Sequence, residues 1–140
     1  AEYSKIQYNR IKQSLKYKHD FKGQKYRNLL ELEVAKILDS QGYKFEYERQ
    51  IKCGDKFYFP DFSIGNILIE CTFWYNVEQK AEELSQKIKN YQQLNRDLII
   101  VTTKRFLKDY SRMLANLNVR VITPDSLTEL LDGKNGRVRA

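Results

Sequence analysis

Cysteine and proline occur twice each in the 140 residues, and histidine, methionine and tryptophan once each. Cys53 and Cys71 lie eighteen positions apart without a CxxC pair, which excludes a disulfide-stapled scaffold. With His19 they make three scattered candidates, where a structural zinc site wants four ligands. The longest aliphatic run is Leu98-Ile99-Ile100-Val101, far short of a membrane span, so no membrane partner is expected. Ala1-Glu2-Tyr3-Ser4-Lys5 lacks the apolar core of a secretory signal, and with so few thiols the expectation is a cytoplasmic protein. No Pro/Gly/Ser tract or internal repeat marks a linker. What is present, 41% hydrophobic and 31% charged residues, suits one domain with a real core.

Charge is distributed unevenly. Residues 1–27 hold eight of the 25 basic residues (Lys5, Arg10, Lys12, Lys16, Lys18, Lys22, Lys25, Arg27) and only two acids, hence +6 of the net +7. Tyr3, Tyr8, Tyr17, Phe21 and Tyr26 are interleaved with these cations. Cations attract phosphates regardless of sequence and aromatic rings stack on exposed bases, so the segment is a candidate nucleic-acid clamp. The same residues would equally serve as an amphipathic helix with Ile6, Ile11 and Leu15 on the core.

Three regions follow from the patterning: a basic aromatic helical segment over 1–23, an α/β core over 24–132 and a loose tail over 133–140. Leu30, Val34, Ile37 and Leu38 recur with helical spacing, predicting a helix over 24–40 capped by Gly42. Alternation over 43–51 predicts a strand, Cys53-Gly54-Asp55-Lys56 a turn, and Phe57-Tyr58-Phe59 the start of a second strand. Gly65-Asn66 turns it into a third, over 67–73. Val77, Ala81, Leu84, Ile88 and Tyr91 on one stripe predict a helix over 77–95. Residues 98–102 read as a strand buried on both faces, 104–116 as a helix and 119–122 as a last strand. Thr123-Pro124-Asp125 opens a final helix. A β-hairpin followed by βαβαβ alternation predicts a mixed sheet flanked by helices.

Two acids stand out on this frame. Asp61 and Glu70 are symmetric about the Gly65-Asn66 turn, so a hairpin places them opposite each other at roughly 5 Å. Carboxylates that close repel unless a cation lies between them or one takes up a proton. A hard divalent ion bound through one or two carboxylates and several waters satisfies both. A structural ion pair between Glu70 and a neighbouring Lys or Arg would also account for an acid within an apolar strand.

Pro60-Asp61 at a strand end, Glu70-Cys71-Thr72 on the next strand, a preceding helix with Leu30-Glu31-Leu32-Glu33-Val34 before Gly42-Tyr43, and a long helix afterwards resemble the PD-(D/E)xK nuclease superfamily. Its members include restriction endonucleases, archaeal Holliday junction resolvases and RecB-type nucleases. The resemblance covers residues 24 to about 131 and implies a restriction endonuclease-like fold and metal-dependent hydrolysis of DNA, RNA not being excluded. It implies Mg2+, with Mn2+ as a substitute, on Asp61, Glu70 and the backbone carbonyl of Cys71. Glu31 takes the place of the family's helix acid, with Glu33 as the alternative. The motif lysine is missing, and Thr72 stands in its place. Some members of the superfamily carry that cation on the following helix, which points to Lys87, four residues before Tyr91, and secondarily to Lys80. One active site per chain and a substrate of two strands imply a homodimer. Two other classes fit parts of the pattern: a nuclease-like protein that binds nucleic acid without cutting, and an interaction module built on the tyrosine-rich strand at 43–47.

Overall fold

The computed structural model describes residues 17–135. Lys5, Arg10, Lys12, Lys16, Tyr3 and Tyr8 of the basic segment lie outside the described residues, as does most of the tail.

The described chain begins with a tight hairpin, β1 (His19–Phe21) and β2 (Gln24–Tyr26), pairing His19 with Tyr26 and Phe21 with Gln24. Lys22 and Gly23 both adopt positive φ, 50° and 84°, as a two-residue hairpin turn requires. This corrects two expectations: residues 17–23 are not helical, and the boundary at 23/24 cuts through one hairpin. Helix α1 runs over Leu29–Ser40 and not from 24, because its apolar stripe starts only at Leu30 and Asn28 caps it, accepting from the Glu31 amide at 2.9 Å. Gly42, at φ 78°, follows its end as predicted.

The predicted strand over 43–51 is broken. Only β3 (Glu46–Tyr47) joins the main sheet, because Glu48 takes φ 53° and diverts the chain. A separate hairpin follows, β4 (Ile51–Cys53) and β5 (Lys56–Tyr58), turned at Gly54. Pro60 separates β5 from β6 (Phe62–Ile64), which forms the predicted hairpin with β7 (Ile67–Cys71). Helix α2 (Val77–Gln93), strand β8 (Asp97–Val101), helix α3 (Lys104–Met113) and strand β9 (Arg120–Ile122) complete the alternation. A 3-10 turn at Pro124–Ser126 leads into α4 (Leu127–Asn135), so Gly133 and Lys134 are helical, not loose.

The five-stranded sheet has the order β3-β6-β7-β8-β9, antiparallel across β3, β6 and β7 and parallel across β7, β8 and β9. One face packs Ile67, Ile69, Ile99 and Val101 against Leu30, Val34 and Leu38 of α1 and Leu127 and Leu131 of α4. The other packs Leu68, Leu98 and Ile100 against Ala81, Leu84 and Ile88 of α2 and Phe106, Tyr110 and Leu114 of α3. Burial on both faces explains why β8 shows no polar alternation. The chain is therefore an α/β fold with a mixed sheet between two helical layers. Among the described residues no helix is long and apolar enough to cross a membrane.

Tyr17 and Tyr26, read from the sequence as possible base-stacking rings, are buried instead. Both meet Tyr47 edge-on, at 6.1 and 4.6 Å between ring centroids, and Tyr26 stacks on Phe62 at 5.9 Å. Burial, reinforced by Asp39 and Glu31, pushes the Tyr26 hydroxyl from 10.0 up to about 12. The folded state thus keeps a proton that the unfolded chain releases. The associated stability is intact below pH 10.0 and is lost as the pH rises to about 12. Tyr26→Phe is expected to flatten the fall in urea midpoint across that window; an unchanged fall would show that Tyr26 does not drive it.

Candidate functional site

β6 runs antiparallel to β7, so the start of β6 and the end of β7 share one edge of the sheet. The register Phe62↔Ile69, Ser63↔Leu68, Ile64↔Ile67 carries on to place Asp61 opposite Glu70, as the sequence symmetry predicts. Both are buried. The Asp61 amide donates to Glu70 Oε2 at 3.0 Å, and the Cys71 amide donates to Asp61 Oδ2 at 2.7 Å. The two carboxylates are thereby tied to each other's strand.

Two cations reach this edge from opposite layers. Lys87, on α2, donates to Glu70 Oε1 at 3.0 Å with its side chain one-third exposed. Its ammonium is held charged chiefly by Glu70, against the effect of burial. Lys80 pairs with Glu83 at 3.7 Å instead. Arg27, expected on the nucleic-acid clamp, turns inward between β2 and α1. Its Nη2 donates to Asp61 Oδ1 and, at 2.6 Å, to Glu31 Oε2, and its Nε lies 3.4 Å from Glu48. Burial opposes that guanidinium's charge, but Asp61, Glu31 and Glu48 more than offset it. Lys18, Lys22 and Lys25 are exposed on the hairpin, Lys22 pairing with Asp39 at 2.6 Å.

Glu31 is fully buried and Glu33 exposed, which separates the two alternatives. Glu31 receives four donors: the Arg27 amide, Nε and Nη2, and the Tyr47 hydroxyl. A carboxylate offers about four lone-pair sites, so Glu31 is saturated by protein, whereas Asp61 and Glu70 each accept two hydrogen bonds and retain capacity.

Among the described residues, three buried carboxylates, Glu31, Asp61 and Glu70, face Arg27 and Lys87. The Asp61 carboxyl accordingly titrates well above its usual range, through burial first and then through Glu70 and Glu31. The fully enclosed Tyr91 hydroxyl, also under the influence of Glu70 and Asp61, has no hydrogen-bond partner among the described residues. A hard divalent cation fits such a site in charge and in donor type. Among the described residues no three His, Cys, Asp or Glu side chains form a ready-made metal cage. Any ion would sit on two carboxylates and complete its shell with backbone oxygen and water, the usual habit of Mg2+.

Thr72 brings no cation to this edge. Its hydroxyl is buried and lies 3.1 Å from the Tyr110 hydroxyl, in hydrogen-bonding contact with α3. Two contributors escaped the sequence reading. Arg27 was hidden within a run of cations, and Glu48 within an alternating strand; only the positive φ at Glu48 turns it toward the cluster. Comparison with protein-family models, with curated proteins and with solved structures returned no match.

Proposed function

We propose that this chain is a divalent-metal-dependent endonuclease hydrolysing DNA phosphodiester bonds, with a restriction endonuclease-like core of the PD-(D/E)xK type. The observation that carries the proposal is the meeting of Asp61 and Glu70 at the end of β7 with the Lys87 ammonium 3.0 Å from Glu70. It is the composition of the motif with its cation moved from strand to helix.

Asp61, Glu70 and the Cys71 carbonyl would hold Mg2+, or Mn2+ in its place. When bound, the ion supplies Lewis-acid polarisation of the phosphate and activation of a water nucleophile. Lys87 supplies a preorganised positive charge beside the phosphate, where charge builds up as the bond to the leaving oxygen breaks. Arg27 fixes Asp61 by bridging it to Glu31, while the Asp61 amide and Lys87 hold Glu70. Lys18, Lys22 and Lys25 offer phosphate contacts to one side. Cutting both strands of a duplex requires a second copy, which makes a homodimer part of the proposal.

Cleavage of labelled DNA is expected with Mg2+ or Mn2+ and not with EDTA, and Glu70→Ala is expected to abolish it while sparing binding. Cleavage that survives in Glu70→Ala would remove this assignment. A second reading, a DNA-binding protein that does not cut, is favoured by one fact: every carboxylate oxygen of Asp61 and Glu70 already accepts a hydrogen bond from the protein. Salt-sensitive binding without cutting under either metal would establish that reading.

A further inference from the structure

Immediately after the candidate site, the loop from β7 to α2 displays three successive aromatic rings. Phe73, Trp74 and Tyr75 are 40%, 61% and 74% exposed, three of the five large hydrophobic residues exposed among the described residues. Exposed apolar surface on this scale, concentrated in one loop, marks a binding surface. The rings are held out, not collapsed. Phe73 and Trp74 lie nearly parallel, 15° apart with centroids at 6.3 Å. The Trp74 carbonyl accepts from the Tyr110 hydroxyl at 3.3 Å, and that hydroxyl is the one in contact with Thr72. The threonine at the motif's lysine position is therefore part of what anchors this loop.

Charge completes the surface. The Arg105 guanidinium lies 4.6 Å from the centre of the Tyr75 ring and 5.6 Å from that of Phe106, and it donates to the Tyr75 hydroxyl at 3.1 Å. Arg105 makes no ion pair among the described residues, and Lys104 beside it is exposed. On the other side Trp74 lines a cavity of about 250 Å³ with Asn76, Gln79, Lys80 and Glu83. Both β8 and β7 end at this edge, so Arg105, the aromatic loop and Glu70 are neighbours by topology. Only Cys71 and Thr72 separate Glu70 from Phe73, so the two are at most about 11 Å apart along extended chain.

We infer that the Phe73-Trp74-Tyr75 loop with Arg105 binds unpaired nucleotides of the DNA strand at the site, bases stacking on Phe73 and Trp74 and a phosphate meeting Arg105. Parallel flat rings fit bases, and an unpaired cation fits the backbone. Bases stacked inside a duplex cannot reach the rings, so the substrate class is DNA with a single-stranded portion. The inference deepens the nuclease reading and rests on it for the strand's passage across Glu70.

Trp74 is the sole tryptophan beside ten tyrosines, so fluorescence excited selectively at tryptophan reports on this loop. The full chain is titrated in EDTA, where no cutting occurs, with oligo(dT), with a hairpin duplex of equal length and with polyglutamate. Oligo(dT) is expected to quench the tryptophan and to bind more tightly than the duplex. Binding followed by oligonucleotide anisotropy is expected to weaken about tenfold to a hundredfold in Trp74→Ala. Arg105→Ala should lower the salt slope by about one. Absence of quenching, equal affinity for duplex, or equal quenching by polyglutamate would each overturn the inference. Cleavage by the wild type with Mg2+ but no quenching would remove this surface alone. Quenching with no cleavage under Mg2+ or Mn2+ would remove the nuclease reading and leave unpaired DNA as the ligand of this loop.

Discussion

Replacing Lys87 by methionine is expected to lower the rate of Mg2+-dependent DNA cleavage by about a hundredfold to a thousandfold, the usual loss when one preorganised charge-stabilising group is removed. Lys89→Met, on the exposed flank of the same helix, should leave the rate unchanged. The contrast follows from position. Lys87 touches Glu70 at 3.0 Å, with enough of its side chain exposed to meet a phosphate, while Thr72 is turned into its contact with Tyr110. Methionine keeps the aliphatic stem that packs along α2 and removes only the ammonium. The loss should fall on kcat more than on KM, because a charge that matters as the bond breaks acts on the transition state. Lys87→Arg, which retains the cation with a different reach, should recover part of the rate. Equal rates for Lys87→Met and Lys89→Met would take Lys87 out of the reaction and leave it as the structural partner of Glu70.

The elements that could be read from the sequence were those in which local pattern and tertiary packing agree. The β6–β7 hairpin had a turn signal and a symmetric pair of acids, and its register followed. The helix containing Ala81, Leu84, Ile88 and Tyr91 and the all-apolar β8 had one unambiguous period each. What failed was wherever a single residue's backbone overrides the side-chain pattern. Lys22 and Glu48 take positive φ, a conformation the sequence gives no reason to expect at either residue. The first folds a basic segment into a hairpin; the second stops a strand that alternates well. The site shows the same division. Asp61, just before β6, and Glu70, on β7, were legible by their symmetry about the turn, and Lys87, on α2, through the resemblance. Arg27 was not, because a cation near other cations carries no mark of which one turns inward. Its role depends on β2 handing the chain to α1 at Asn28, a geometry set by the hairpin before it.

That same geometry makes Glu31 the residue whose loss should most damage the fold. Glu31→Ala is expected to destabilise the protein by about 3–5 kcal/mol, the usual cost of removing one member of a buried, hydrogen-bonded ion pair. Set against the ~5–15 kcal/mol that holds a domain of this kind together, this is a large fraction. Glu31 is fully buried and satisfies the Arg27 amide, both guanidinium donors and the Tyr47 hydroxyl at once. Alanine would leave the Tyr47 hydroxyl without that acceptor and Arg27 with only Asp61 and Glu48. The exposed Glu33→Ala should change stability by no more than about 0.5 kcal/mol. Urea midpoints read the difference, and a cost for Glu31→Ala below about 1 kcal/mol would show that the cluster is not the structural unit described. A double-mutant cycle with Arg27→Ala then separates two roles. If Glu31 acts by holding Arg27, the double variant should lose little more than either single one. If it acts directly on a bound ion, Mg2+ should raise the midpoint of Arg27→Ala more than that of the double variant. Saturation of both Glu31 oxygens by protein donors argues for the first, which makes it a positioning residue for Arg27 and, through Arg27, for Asp61.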